Sequence, residues 1–167
     1  YAMLRMGICY GFGFGTRVNL SLQLMWYKKA LAAGVAEACS YLGQYFEVND
    51  KDADGQKKVL EYYKRGVELG DRRSFLKLMY CYTYDPSLSD DEKIRLCQNL
   101  CDQLECMGNY KGYSAMGLLY LVLNDLENGI SCLNSAIAND EVSAYGTLAE
   151  VYWGIGRCDE AVKWAQN

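Results

Sequence analysis

Apolar positions along this chain fall at helical spacing over most of its length. Leu20, Leu24, Tyr27 and Leu31 recur at steps of four, three and four, and Ile94, Cys97, Cys101 and Leu104 at three, four and three. Those steps place the apolar side chains on one face of a 3.6-residue helix, whereas a strand would alternate. A longer period lies above this one. A small residue is followed five positions later by glycine or an apolar residue, and eight positions later by an aromatic. The series reads Ala2–Gly7–Tyr10, Ala38–Gly43–Phe46, Ser74–Met79–Tyr82, Gly112–Gly117–Tyr120 and Ala144–Ala149–Tyr152, with start points 36, 36, 38 and 32 residues apart. Periods of this length mark a repeat architecture.

Each repeat continues through a loop into a second apolar-periodic segment. The pattern predicts helices over 1–11 and 19–33, 36–48 and 56–69, 72–84 and 90–107, 110–123 and 126–138, and 141–154 and 157–167. Gly34, Gly70 and Gly108 close second helices at the left-handed position that glycine fills without steric cost. Ser89 with Glu92 three residues later predicts a capping box. One hairpin cannot bury both of its faces, so neighbours must stack. The expected fold is an all-α superhelix (solenoid) of about five helical hairpins. It forms a single repeat domain over 1–167, with units at 1–35, 36–71, 72–109, 110–141 and 142–167. The chain opens and closes inside predicted helices, which predicts a fragment of a longer chain with an apolar edge open to self-association.

The residues also carry a family resemblance. Gly7-Ile-Cys-Tyr10, Gly13-Phe-Gly15, Val18, Trp26-Tyr-Lys-Lys-Ala30 and Gly34 resemble a Sel1-like repeat, a longer-looped relative of the tetratricopeptide repeat. Ala38 through Gly70 follows the same pattern, with Tyr-Leu-Gly at 41–43 and Tyr-Tyr-Lys-Arg-Gly at 62–66. Ala144 to Trp164 is closer to a tetratricopeptide repeat, through Leu148-Ala149, Tyr152, Gly156 and Asp159-Glu-Ala161. The third and fourth repeats depart from the pattern, with Met79 in place of glycine and an Asp85-Pro-Ser loop. The resemblance implies a right-handed superhelix, with the first helix of each hairpin lining a concave groove. That register places Arg5, Tyr41, Gln44, Glu47, Lys77, Tyr80, Thr83, Tyr84, Glu150 and Trp153 on the groove. Aromatics mixed with charges suit the capture of a peptide or protein segment. Packing between hairpins is the competing use of the same tyrosines.

Composition narrows the chemistry. The 167 residues contain no histidine, which removes imidazole-activated nucleophiles and histidine metal ligands. The net charge of −4 gives no electrostatic reason to expect nucleic acid or anionic lipid. No apolar run approaches the ~20 residues of a membrane span. The eight cysteines form no C-x-x-C pair. Cys97 and Cys101 lie on an apolar stripe, so buried free thiols are expected, together with a reducing, cytoplasmic home; secretion through a removed leader stays open.

Three local patterns compete for a role. Asp50, Asp52, Asp54 and Gly55, with Glu61 six residues beyond the glycine, fit the calcium-loop template D-x-[DN]-x-[DN]-G-x5-E. An ordinary solvated turn between helices explains the same residues. Gly11, Gly13 and Gly15 lack the strand and Gly-Lys-Ser/Thr of a phosphate loop and read as loop glycines of the first repeat. Asp90-Asp-Glu92 and Asp140-Glu141 are expected at helix N-termini, where the dipole stabilises them. The resulting expectation is a non-enzymatic scaffold or adaptor for a protein or peptide, with no cofactor. The alternatives are a calcium-stabilised module built on the 50–61 loop and a structural spacer within a larger protein.

Overall fold

The computed structural model describes residues 1–166. Its elements are α1 (Ala2–Phe12), α2 (Leu20–Ala32), α3 (Ala38–Asn49), α4 (Ala53–Glu68), α5 (Arg72–Thr83), α6 (Asp90–Cys106), α7 (Lys111–Val122), α8 (Leu126–Ala138), α9 (Ser143–Gly154) and α10 (Cys158–Ala165). Among the described residues there is no strand, and no helix is long and apolar enough to cross a membrane. The expected helices are present, with ends moved by no more than three residues; Asn167, expected in the last helix, lies outside the described residues. The chain divides into two compact units, Tyr1–Leu78 and the residues from Met79 onward, with the boundary inside α5.

In the N-terminal unit, α1 pairs with α2 and α3 with α4. The core gathers Leu4, Tyr27, Ala30, Ala38 and Leu42, with Ile8, Leu24 and Tyr62 packed against it. Glycine sets how closely each pair approaches. A Cβ on Gly7 would collide with the Tyr27 ring, and one on Gly43 with the Tyr63 ring. The two tyrosines stand 36 residues apart, the period of the repeat itself. Gly66 does the same work one layer on, where α4 meets Ser74 of α5.

In the C-terminal unit the core gathers Leu133, Ala136, Ala144, Leu148, Tyr152 and Ala161. Here Gly117 of α7 faces Leu133 of α8, and Gly112 lies against Cys101 of α6. In the third repeat, where Met79 replaces glycine, the second helix supplies a small residue: the Cys97 thiol sits 3.6 Å from the Met79 carbonyl oxygen and donates to it. Cys97 and Cys101 are buried, and all eight cysteines are free thiols.

Helix ends follow local chemistry. The backbone N–H groups of Leu22, Gly55 and Asn128 donate to the side chains of Asn19, Asp52 and Asp125, capping α2, α4 and α8. The capping box at α6 is formed, with the Glu92 N–H donating to Ser89 and the Ser89 N–H donating back to Glu92. Gly34, Gly70 and Gly108 take φ of 80°, 75° and 66°. Asp140 takes the same role after α8, with φ 61°. Asp140 therefore closes α8, while Glu141 stands just before α9, its carbonyl accepting from the Ala144 N–H and its carboxylate from the Ser143 hydroxyl. Gly11 is likewise not a loop residue: it is helical in α1, where a side chain would collide with Gln23.

Candidate partner-binding surface

The acidic segment that fits the calcium-loop template is largely helical. Only residues 50–52 lie between the helices. Asp52 caps α4 by accepting from the Gly55 N–H at 2.7 Å, so Asp54, Gly55 and Glu61 are all helical. The 56–69 helix expected from the pattern thus starts three residues early, at Ala53, because aspartate is a strong N-cap. Asp50 pairs with Lys58 at 3.7 Å and Asp54 with Lys57 at 3.8 Å. A template of this kind draws its ligands from a twelve-residue loop, whereas here the helix begins at the fourth residue of that stretch. Among the described residues no group of three or more His, Cys, Asp or Glu side chains is placed to hold a metal ion.

The expected groove residues of the N-terminal unit are brought together on α3 and α5. Arg73 lies over the Tyr41 ring, 4.9 Å from its centroid, and its Nη2 donates to Gln44 Oε1 at 2.9 Å. Lys77 Nζ is 3.2 Å from Glu47 Oε2, an oxygen that also accepts from the Tyr63 hydroxyl at 3.1 Å. Tyr41 meets Tyr27 with ring centroids 5.4 Å apart. Arg5 is exposed on α1 and joins none of these groups.

These side chains border a cleft of about 430 Å³. Its walls are Ile8, Gly11 and Phe12 of α1, Leu20, Gln23 and Tyr27 of α2, and Tyr41, Gln44, Tyr45, Val48 and Asn49 of α3, with Arg73 from α5. Burial pushes the Tyr27 phenol above its ordinary range, against the opposing pull of the Gln23 hydrogen bond and the Arg73 cation. Tyr45 is raised as well, by burial and then by the nearby Asp50 carboxylate. Both phenols therefore stay neutral and can donate.

Arg73 was not among the residues singled out by register. It sits one position before the small residue Ser74 that anchors the repeat pattern, and only its reach back to Tyr41 and Gln44 brings it to the cleft. Phe12 and Val48 also line it while remaining 66% and 63% exposed. The helical spacing of Tyr41, Gln44 and Val48 was the available signal for Val48.

In the C-terminal unit, Tyr80 and Tyr84 are both half exposed, with ring centroids 4.6 Å apart. Trp153 is 66% exposed and Glu150 lies on the same open side of α9. Among the described residues no ring contact, hydrogen bond or ion pair joins the two tyrosines to Glu150 or Trp153. Thr83 corrects the register reading: it is 3% exposed and its hydroxyl donates to the Met79 carbonyl at 2.9 Å. A threonine bonding back to the i−4 carbonyl lies against its own helix and offers nothing to a partner.

The architecture defines the chain as an all-α protein of stacked helical hairpins, in the α-α superhelix class of Sel1-like and tetratricopeptide-like repeats. Solved structures give that class particular members. The chain is similar to a Sel1 repeat protein from Oxalobacter formigenes, at 17% identity and TM-score 0.72, over 99% of this chain and 68% of that one. It is also similar to c5321, a protective antigen present in uropathogenic Escherichia coli strains and displaying an SLR fold, at 19% identity and TM-score 0.69. That match covers 98% of this chain and 36% of c5321, so this chain spans little more than a third of that protein. MamA matches at 20% identity and TM-score 0.58, over 99% of this chain and 87% of that one. No protein-family profile matches the chain, and no curated protein sequence does. At these identities the likeness establishes the fold alone.

Proposed function

We propose that this protein is a non-enzymatic scaffold that holds a segment of another protein against the first helices of its hairpins. The observation that carries the reading is the cleft of the N-terminal unit, with tyrosine faces, open apolar side chains and an arginine held in place by its neighbours. Rigid aromatic area with polar tips is what a peptide-gripping surface uses. In the C-terminal unit, the exposed Tyr80–Tyr84 pair and Trp153 offer the same kind of surface. A cytoplasmic setting accords with eight free thiols, several of them buried.

The test is capture of crosslinked partners from the native host, read by mass spectrometry, with the wild-type chain and a Tyr41→Ala/Tyr80→Ala/Trp153→Ala variant. The variant should lose the captured set while keeping its helical circular-dichroism spectrum. An unchanged set from a folded variant would remove the reading.

A further inference from the structure

The charge arrangement of the N-terminal cleft specifies what kind of segment it takes. Its twelve lining residues include neither aspartate nor glutamate, and they carry a single formal charge, that of Arg73. This is notable in a chain with 21 acidic residues and a net charge of −4. The neighbouring carboxylates are engaged by other groups: Glu47 with Lys77 and Tyr63, Asp50 with Lys58, Asp71 with the Ser74 hydroxyl and the backbone N–H of Arg73, and Glu37 with the Tyr1 hydroxyl. Among the described residues none lies within ion-pair distance of the Arg73 guanidinium.

That guanidinium is also oriented. The Tyr41 face supports it on one side, and Gln44 takes one of its five N–H donors. Gln44 uses its oxygen in that bond, and its amide nitrogen has no acceptor among the described residues. Arg73 and Gln44 thus bring donors with no acceptor among the described residues to the lining of the cleft. Phe12, Leu20 and Val48 stand open beside them. A planar, pre-positioned fork meets a carboxylate with little further loss of side-chain freedom. A single cation between apolar walls suits one carboxylate better than a phosphate dianion.

We infer that the cleft takes one acidic side chain together with an adjacent bulky apolar side chain, both from an internal stretch of a partner protein. The inference rests on the scaffold reading and adds the chemistry of the captured segment.

The test is a ¹⁵N chemical-shift titration of the whole chain with three capped peptides at low millimolar concentration. They are acetyl-Phe-Glu-amide, acetyl-Phe-Gln-amide, and acetyl-Gln-Phe with a free C-terminal carboxylate. The glutamate peptide should shift the amides of Tyr41, Gln44, Val48 and Arg73 and bind about fivefold or more tightly than the glutamine peptide. Added salt should shrink that difference. Arg73→Gln should abolish the preference with the helical spectrum unchanged, and Arg73→Lys should restore only part of it. Equal affinity for the glutamate and glutamine peptides, or no shift in the cleft with any peptide, would overturn the inference. Tighter binding of the free-carboxylate peptide would overturn it too, since the site would then read a chain terminus. These failures leave the scaffold reading standing wherever partner capture still depends on Tyr41, Tyr80 and Trp153. Capture indifferent to those residues removes that reading whatever the peptides do.

Discussion

The N-terminal and C-terminal units solve the same packing problem with different side chains. In the N-terminal unit a glycine on the first helix of each pair receives a tyrosine ring from the second: Gly7 receives Tyr27, and Gly43 receives Tyr63. In the C-terminal unit the volumes are redistributed. Gly117 receives the smaller Leu133, and at Met79 the large residue moves to the first helix while Cys97 opposite it is small. The sum across the contact stays near what two close helices accommodate, and interiors tolerate such exchanges when total volume is kept. The tyrosine solution brings a hydroxyl with it. In the N-terminal unit those hydroxyls reach Gln23 and Glu47, beside the cleft residues. The leucine and cysteine solutions bring no hydroxyl, so the unit that packs with tyrosine also orders polar side chains beside its cleft.

The sharpest way to break this comparison is to remove the rings. Tyr63→Ala should cost about 3–5 kcal/mol, the range for deleting a large buried aromatic, and should also release Glu47. Leu133→Ala, at the corresponding contact, should cost about 2–5 kcal/mol with no polar consequence. Urea unfolding measures both, and the separating observation is whether shifts spread to Lys77 and Glu47 in Tyr63→Ala alone. Next in size is filling the holes. Gly43→Ala drives a methyl into a rigid ring and should cost about 1–3 kcal/mol. In Gly117→Ala the added carbon would lie 2.9 Å from Leu133 Cγ and 3.2 Å from the Gly129 carbonyl oxygen, milder overlaps than that with the Tyr63 ring, and the cost should be about 1 kcal/mol. Equal costs at the two glycines would show that ring rigidity does not distinguish the units.

A smaller effect separates them by pH. Burial pushes the Cys97 thiol up to about 11 and Cys101 up to about 12, the latter with help from Asp102. Tyr113 is pushed up to about 12 by burial and the Glu105 carboxylate that its hydroxyl donates to. Of the buried thiols in the N-terminal unit, Cys39 is raised in the same way, to about 11. These groups ionise more readily when unfolded, so their contribution is fully present below the ordinary thiol range and is lost as pH rises through about 9 to 12. Melting temperature should therefore fall above pH 9, and Cys101→Ala should flatten the fall more than Cys39→Ala. Iodoacetamide at neutral pH should modify the exposed Cys106 and Cys158 long before the three buried thiols.

The repeat was legible because its strongest residues are positional. A left-handed backbone after a helix selects glycine, and Gly34, Gly70 and Gly108 announced three helix ends. Asp140 and Asn124 hold the same backbone region without announcing it, since aspartate and asparagine also open helices. That double use is why Asp140-Glu141 reads as a helix start. The calcium template carries a related ambiguity. Aspartates spaced for a cation are also spaced to cap and ion-pair along a helix, and here Asp52 makes the N-cap bond of α4. Of the groove positions, Tyr41 and Gln44 meet through Arg73, Glu47 pairs with Lys77, and Thr83 turns inward. Arg73 was invisible because its role depends on a side chain reaching back to α3, and helical register carries no information about reach.

The smallest effect tests whether glycine is a packing device wherever the repeat uses it. Gly146 lies inside α9, two positions after the small residue Ala144 of the fifth repeat. A Cβ there would meet nothing within 4 Å. Its φ is not in the left-handed region, so alanine adopts the same backbone without strain. With no clash to oppose it, the substitution reduces the freedom of the unfolded chain and should stabilise the protein by about 0.4–1 kcal/mol. Gly146→Ala and Gly43→Ala thus add the same methyl to two helices of one repeat family and should move the unfolding midpoint in opposite directions. If both destabilise, Gly146 has a neighbour the structure does not place there, and the split between glycines that receive a ring and glycines that merely occupy a helix is wrong. If both are neutral, the Tyr63 ring yields, and close approach at Gly43 is not what holds α3 against α4.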